Sequence, residues 1–93
     1  MRGDLIRVLS TVEEKANELK LEGYEPDVLL IGKKAYEFVK EQLNEEFGEG
    51  DEVLELSGFR VRVVEELEGD AVVIDSRVIG LGSGGAKRFR VIQ

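Results

Sequence analysis

The side chains that most often perform catalysis near neutral pH are missing from this sequence. The chain contains no His and no Cys, so it lacks the usual general base, the usual thiol nucleophile and the usual nitrogen and sulfur ligands of a transition metal. Its four serines, Ser10, Ser57, Ser76 and Ser83, have no recognisable activating partner in the sequence. Carboxylates are abundant, which leaves a carboxylate-only enzyme as one alternative, but abundance alone supplies no shifted pKa. We predict a protein that has no catalytic residues and is not an enzyme.

An acidic segment between residues 45 and 52 is the main candidate for a metal site. The carboxylates that could together hold Ca²⁺ or Mg²⁺ are Glu45, Glu46, Glu49, Asp51 and Glu52. A calcium-binding loop requires oxygen ligands at alternate positions, a central glycine and a distal glutamate, and the sequence GEGDEVLE does not reproduce that order. We predict no metal ligands, and we keep a small-molecule or divalent-metal binding module built on residues 45–52 as an alternative function.

Three glycines, Gly80, Gly82 and Gly85, match the G-x-G-x-x-G pattern of dinucleotide-binding folds. That pattern needs a helix after the last glycine, because the N-terminus of the helix binds the pyrophosphate. Only eight residues follow Gly85, and they alternate as in a strand. Lys87 does not fit the phosphate-loop pattern either, since Arg88 stands where that loop has a hydroxyl residue. We predict a mobile glycine hairpin and no cofactor.

The overall charge and composition limit the partners and the compartment. Twenty acidic against 13 basic residues give a net charge of −7, which repels nucleic-acid backbones and anionic lipids. No apolar run approaches the roughly 18 residues of a membrane span, and no export signal is recognisable. With the absence of cysteine, these features predict a cytoplasmic protein that binds neither nucleic acid nor membranes. The high Lys and Glu content, with only two Asn and two Gln, is the bias of hyperthermophile proteins.

The elements that must position any functional residue are clearest between residues 23 and 39. Gly23 suits the left-handed position that ends a helix, and Pro26 prevents the helix from continuing. Residues 27–31 are apolar without alternation, as in a strand that is covered on both faces. The segment predicts an interior strand, followed by a second helix that begins after Gly32.

Two amphipathic helices flank this strand. Residues 4–22 predict a helix capped by Asp4, with an apolar seam that packs on the protein's own sheet. The seam consists of Leu5, Leu9, Val12, Ala16 and Leu19. Residues 33–47 predict a second helix, in which Tyr36 flanks the apolar stripe and keeps its hydroxyl in water. Its buried side consists of Ala35, Phe38, Val39, Leu43 and Phe47.

From Val53 onward the periodicity changes to that of strands. The predicted order is a turn at Ser57-Gly58, a half-buried strand over 59–64, a turn at 68–70, a short strand over 71–74 that ends at Asp75-Ser76, and a last strand over 87–92. We predict an α+β fold, with two helices packed on a mostly antiparallel sheet of four or five short strands, in a single domain of residues 1–93.

This order of elements resembles one module of the tailed-phage major capsid proteins, whose fold encapsulin shell proteins also use. The resemblance covers residues 5–80. The matching positions are Gly23, Tyr24, Pro26 and Asp27 after the first helix, and Gly58, Val61, Gly69 and Asp70 farther on. The chain is also similar to a small family from hyperthermophilic archaea that is linked to this coat-protein fold.

The resemblance implies a coat-protein fold and a role in protein–protein contacts. The extended loop, the N-terminal arm and the long spine helix through which capsid subunits interlock have no room in 93 residues. The resemblance therefore implies the fold without implying shell assembly. The leading hypothesis is a small, non-catalytic cytosolic domain that contacts an unknown protein partner or forms a weak homo-oligomer.

The charge is unevenly distributed along the chain. All 20 acidic residues lie within residues 1–76, which also carry nine basic residues. Residues 77–93 contain no acid and four bases, Arg77, Lys87, Arg88 and Arg90. These opposite charges predict pairing within one molecule or between copies, and the second would give a weak head-to-tail association that salt screens.

Overall fold

A computed structural model describes residues 3–50, 52–78 and 84–92 of the chain. Within these ranges it contains two α-helices, five strands and one short 3₁₀ helix. In chain order they are α1 (Gly3–Leu21), β1 (Val28–Ile31), α2 (Lys33–Phe47), β2 (Glu55–Leu56), β3 (Phe59–Val63), the 3₁₀ helix (Glu65–Leu67), β4 (Asp70–Ile74) and β5 (Ala86–Arg90). The predicted α+β fold is confirmed, and both α-helices lie within one residue of their predicted bounds.

The five strands form one mixed sheet in the order β2-β3-β1-β4-β5. β1 lies at its centre, parallel to β3 and antiparallel to β4. The β2–β3 and β4–β5 pairs are antiparallel. The sheet is therefore mostly antiparallel, β1 is the interior strand that its apolar run predicts, and β2 and β5 form the two edges.

Both helices contribute their buried side chains to a single core on one face of the sheet. The register places Leu29 and Ile31 of β1 on this face, beside Val73 and Ala71 of β4. The buried members of the core are Leu5, Val8, Val12, Ala16, Leu19, Leu29, Ile31, Ala35, Val39, Leu56, Ala71, Val73, Phe89 and Val91. Burial of each of the larger aliphatic side chains contributes roughly 1.5–3 kcal/mol to stability.

The other face of the sheet, which we call the open face, carries Val28 and Leu30 of β1 and Val72 and Ile74 of β4. Val28 and Ile74 are buried there but lie outside the core that the helices cover. The prediction that β1 is covered on both faces is wrong at Leu30, which is only half-buried. A sheet dominated by antiparallel pairs can leave one face to solvent.

The buried side of α1 differs from the predicted seam at one position. Val8 is buried, whereas Leu9 is half-buried and packs at the margin of the core. The helix begins at Gly3, so Asp4 lies inside the first turn and is not the cap. Its carboxylate there still complements the positive end of the helix dipole. Gly23 ends the helix region with φ 94°, as predicted.

The last turn of α2 extends past the core. Ala35 and Val39 are buried and Phe38 and Leu43 are half-buried, but Phe47 is 70% exposed, so its predicted burial is wrong. A helix of 15 residues is about 22 Å long, whereas strands of four or five residues span only about 13–17 Å. The sheet is too short to cover the whole helix.

Gly32 joins β1 to α2 where the chain leaves no room for a side chain. Its N–H donates to the carbonyl of Asp70 at 2.8 Å, and the N–H of Ala35 donates to the carbonyl of Glu68 at 2.9 Å. A Cβ atom at position 32 would collide with the backbone of Glu68. The sequence indicated Gly32 only as the start of a helix, because Glu68 is distant along the chain.

Candidate assembly surface

Among the described residues, Asp75 is the charged residue whose side chain is buried. It lies just after β4. Its carboxylate accepts hydrogen bonds from the N–H of Glu25 at 2.9 Å and from the N–H of Arg77 at 3.1 Å. The guanidinium of Arg77 reaches both carboxylate oxygens at 3.3 Å. The bond from the Arg77 side chain, followed by that from Glu25, lowers the pKa of Asp75 to about 2. Such a carboxylate stays ionised near neutral pH, so it fixes the chain and does not exchange protons.

Asp27 fixes the same end of the sheet from the start of β1. Its carboxylate accepts hydrogen bonds from the N–H of Ser76 at 2.8 Å and from the Ser76 hydroxyl, and it pairs with Arg60 at 3.5 Å. Partial burial would raise the pKa of Asp27, but the Ser76 hydrogen bonds and the Arg60 charge outweigh it and lower the pKa. The sequence marked Asp27 and Asp75 only as the ends of strands. Their contacts with Ser76 and Glu25 join segments that no local pattern connects.

The acidic segment of residues 45–52 does not form a metal site in the described chain. Asp51 lies outside the described residues. Within the described ranges, no group of three or more carboxylates comes close enough to hold a cation. The metal-binding alternative therefore gains no support from this geometry.

The glycine segment has the strand context that the sequence predicted. Gly80 and Gly82 lie outside the described residues, but Gly85 leads directly into β5. Gly84 and Gly85 have φ angles of 104° and 79°, and a side chain at position 84 would meet the ring of Tyr24. A strand follows the last glycine, so the helix N-terminus that would bind a pyrophosphate is not at this position.

The basic residues near the end of the chain mostly pair with acids of the same molecule. Arg77 contacts Glu25 at 3.0 Å as well as Asp75, Lys87 contacts Glu22 at 2.7 Å, and Arg88 contacts Asp70 at 2.8 Å. Internal pairing, one of the two alternatives drawn from the charge distribution, is therefore present.

Arg90 differs from these three bases. Its side chain is exposed and forms no ion pair with any residue that the structure describes. Pairing between copies stays a prediction.

The two edges of the sheet carry opposite charges. β5 contributes Lys87, Arg88 and Arg90, and we call these three residues and the backbone of β5 the basic edge. At the other end of the sheet, β2 and the chain just before it contribute Glu52 and Glu55, both exposed. We call residues 52–56 the acidic edge. An unpaired strand edge is a template for association with another chain.

Several large apolar side chains are also exposed to solvent. They are Ile6, Leu21, Phe47, Leu54, Val63 and Ile92. Phe47 lies within the acidic segment and Leu54 follows it, and they are 70% and 71% exposed. No helix in the described ranges is both long and apolar enough to cross a lipid bilayer. Leu54 directly precedes β2, so association at that edge would remove its exposed side chain from water.

The comparison with protein families agrees with this geometry. The sequence matches a family model described as "Putative type 4B encapsulin shell protein", and the match extends over residues 2–93. The comparison with curated proteins gives no match. The matched range contains all the helices and strands described above, together with both edges of the sheet. The chain therefore belongs to this encapsulin shell protein family.

Proposed function

We propose that this protein is a structural subunit that acts through contacts between copies of itself and contributes to a protein shell, without catalytic activity of its own. The observation that carries the proposal is the match to a shell-protein family over residues 2–93. The two oppositely charged edges of the sheet, which pair with no further strand in the described ranges, and the exposed Phe47 and Leu54 support it, because association with further copies would bury them.

The proposal includes the setting in which the subunit works. We propose that residues 1–93 form one domain that acts in the cytoplasm of a hyperthermophilic archaeon and binds neither nucleic acid nor membranes. The absence of cysteine supports a reducing compartment, and the net charge of −7 supports the exclusion of polyanions. The Lys and Glu content supports the thermophilic origin.

Light scattering after size-exclusion chromatography tests the proposal, with electron microscopy of the same fractions. We expect a discrete species many times heavier than the 10.4 kDa chain, which images as closed particles or rings. Measurements at about 20 mM and about 1 M salt show how much of the association is electrostatic. A 10.4 kDa species at every concentration and salt level would contradict the proposed function.

A further inference from the structure

We propose that copies of this chain join edge to edge, with β5 of one copy lying antiparallel to the acidic edge of the next, so that the sheet continues from one subunit into its neighbour. The inference builds on the proposed function, because it names the surfaces through which the subunit associates. Each edge binds the opposite edge of a second copy of this chain.

The backbone groups of β5 point alternately toward β4 and away from the sheet. Gly85 lies just before β5, and its carbonyl accepts a hydrogen bond from the N–H of Asp75 at 2.8 Å. Val91 lies just after β5, and its N–H donates to the carbonyl of Gly69 at 2.9 Å. Bonded pairs in an antiparallel ladder recur at every second residue. The odd-numbered residues of β5 therefore face β4, and the even-numbered residues direct their N–H and C=O groups outward. The outward residues are Ala86, Arg88 and Arg90.

The backbone groups of β2, at the other end of the sheet, alternate in the same way. The N–H of Val61 bonds to the carbonyl of Leu54 at 3.0 Å, and the register pairs Leu56 with Phe59. Leu54 and Leu56 therefore face β3. Glu55, between them, directs its own N–H and C=O groups away from the sheet.

The side chains of these outward residues lie on the same face. Glu55 is opposite Arg60, Arg60 is opposite Val28, and Val28 belongs to the open face. Arg88 is opposite Val72, which also belongs to the open face. Laterally paired residues on neighbouring strands, parallel or antiparallel, have their side chains on one face of the sheet. A ladder between the two edges would therefore bring Glu55 of one copy beside an arginine of the next.

The charges favour this pairing over the symmetric ones. Two copies of β5 in contact would bring Arg88 and Arg90, which share the open face, near the same two residues of the other copy, and two acidic edges would bring Glu55 near Glu55. Like charges directly opposite each other destabilise a strand pair. Only the contact between unlike edges places opposite charges together, and the exposed side chain of Arg90, which has no ion pair with a described residue, would form one of them.

The strand directions agree with the charges. β1 is parallel to β3, and β2 is antiparallel to β3, so β2 runs opposite to β1. β4 is antiparallel to both β1 and β5, so β5 runs with β1. A second copy that has the same orientation as the first therefore places its β2 antiparallel to β5 of the first copy. The contact uses two different surfaces, and repeating it generates a ring when the rotation closes and a filament when it does not.

Charge reversal on one edge at a time tests the proposal. The first variant carries Arg88→Glu and Arg90→Glu, and the second carries Glu52→Lys and Glu55→Lys. We expect each variant alone to be monomeric in light scattering, because every contact then opposes like charges. We expect an equal mixture of the two to assemble, because each edge meets the opposite sign, and a chain with all four substitutions should assemble alone.

Two controls separate the edges from general effects. Glu41→Lys reverses an exposed charge on α2, which belongs to neither edge, and it should assemble as the wild type does. Arg88→Glu also removes the pair with Asp70, so Arg90→Glu alone provides a milder variant. Circular dichroism and thermal unfolding show that each variant is folded before its mass is compared.

Cysteine pairs test the register directly, because the chain has no cysteine of its own. Glu55→Cys is combined in turn with Ala86→Cys, Arg88→Cys or Arg90→Cys. Oxidation should convert at least one of these double variants into a ladder of covalent multimers. The single-cysteine variants are the controls, and they can give dimers at most.

The outcomes distinguish the contact from the function. If the wild type assembles but single-edge reversals assemble equally well, or if the mixture of folded variants stays monomeric, the edge contact is wrong and the shell function stands. If no double-cysteine variant gives a ladder while the wild type assembles, the contact is also overturned. A wild type that is monomeric at every concentration overturns both.

Discussion

The backbone carbonyl oxygen of Glu68 occupies the space in which the Cβ atom of any residue other than glycine at position 32 would lie. The same oxygen accepts a hydrogen bond from the N–H of Ala35 in the first turn of α2, at 2.9 Å. Gly32 and Glu68 thus bring the start of α2 against the chain that leads into β4. The position of α2 on the sheet depends on this close approach.

Replacing Gly32 by Ala should destabilise the fold. The added methyl group meets backbone atoms, which cannot rotate away as a flexible side chain does, so the cost should be about 1–3 kcal/mol, the range of an overpacked core. Chemical denaturation of the isolated variant measures this change. Gly50→Ala is the matched control, because a Cβ atom there has nothing within 4 Å, and its stability should differ little from that of the wild type. Equal stability of the two variants would contradict the described contact.

Replacing Asp75 by Asn should change how stability depends on pH. The pKa of Asp75 falls from its ordinary value of 3.8 to about 2 in the folded protein. The ionised carboxylate therefore stabilises the fold above about pH 4, and this stabilisation is lost as the pH falls toward 2. The variant should be less stable at neutral pH and should lose less stability between pH 4 and pH 2. Thermal unfolding across this range, with the exposed Glu41→Gln as control, measures both effects, and parallel pH profiles would contradict the ion pair.

Replacing Tyr36 by Phe should loosen the chain that enters the acidic edge. The Tyr36 hydroxyl accepts a hydrogen bond from the N–H of Val53 at 2.9 Å, whereas the sequence predicted a hydroxyl in water. Loss of one such bond costs about 0.5–1.5 kcal/mol. Hydrogen exchange should show faster exchange at the Val53 amide. Tyr24→Phe is the control, since the Tyr24 hydroxyl forms no hydrogen bond within the described ranges, and it should leave that amide unchanged.

Replacing Leu29 by Ala should unfold the protein at much lower denaturant concentrations. Leu29 is fully buried in β1 at the centre of the sheet, and truncation of such a residue costs about 2–5 kcal/mol through lost burial and the remaining cavity. Leu21→Ala truncates the same side chain at the end of α1, where it is 89% exposed, and should change stability by less than about 0.5 kcal/mol. A small effect at Leu29 would mean that β1 is not the centre of the core.

The elements that local patterns specify were predictable from the sequence. The run of residues 27–31 predicted an interior strand, and the turn at Ser57-Gly58 is present with φ angles of 53° and 84°. Features that depend on distant residues were not predictable. Periodicity could not show that Phe47 extends past the sheet, because the length of the sheet is set by strands far along the chain.

Of the candidate surface, only the uneven distribution of charge could be predicted from the sequence. The excess of bases after Arg77 was visible in the sequence, but the sequence did not show which bases pair internally. Arg88 contacts Asp70 because β4 and β5 are neighbours, and that pairing depends on sheet register. The sequence suggested a soluble or metal-binding loop for the acids around Glu52, since nothing local indicates that residues 54–56 pair with β3 at the edge of the sheet.

The contact between α1 and β5 has a consequence for the timing of folding. α1 is synthesised before β4 and β5, yet it packs on both, and the guanidinium of Arg7 donates to the carbonyl of Val91, 84 positions away. Contacts between such distant residues require closure of long loops before they stabilise the fold, which slows folding. A nascent chain that lacks β5 leaves the apolar side of α1 incompletely covered and has no basic edge. If copies associate through β5 as we propose, a subunit should become competent to associate only after its own β5 is in place.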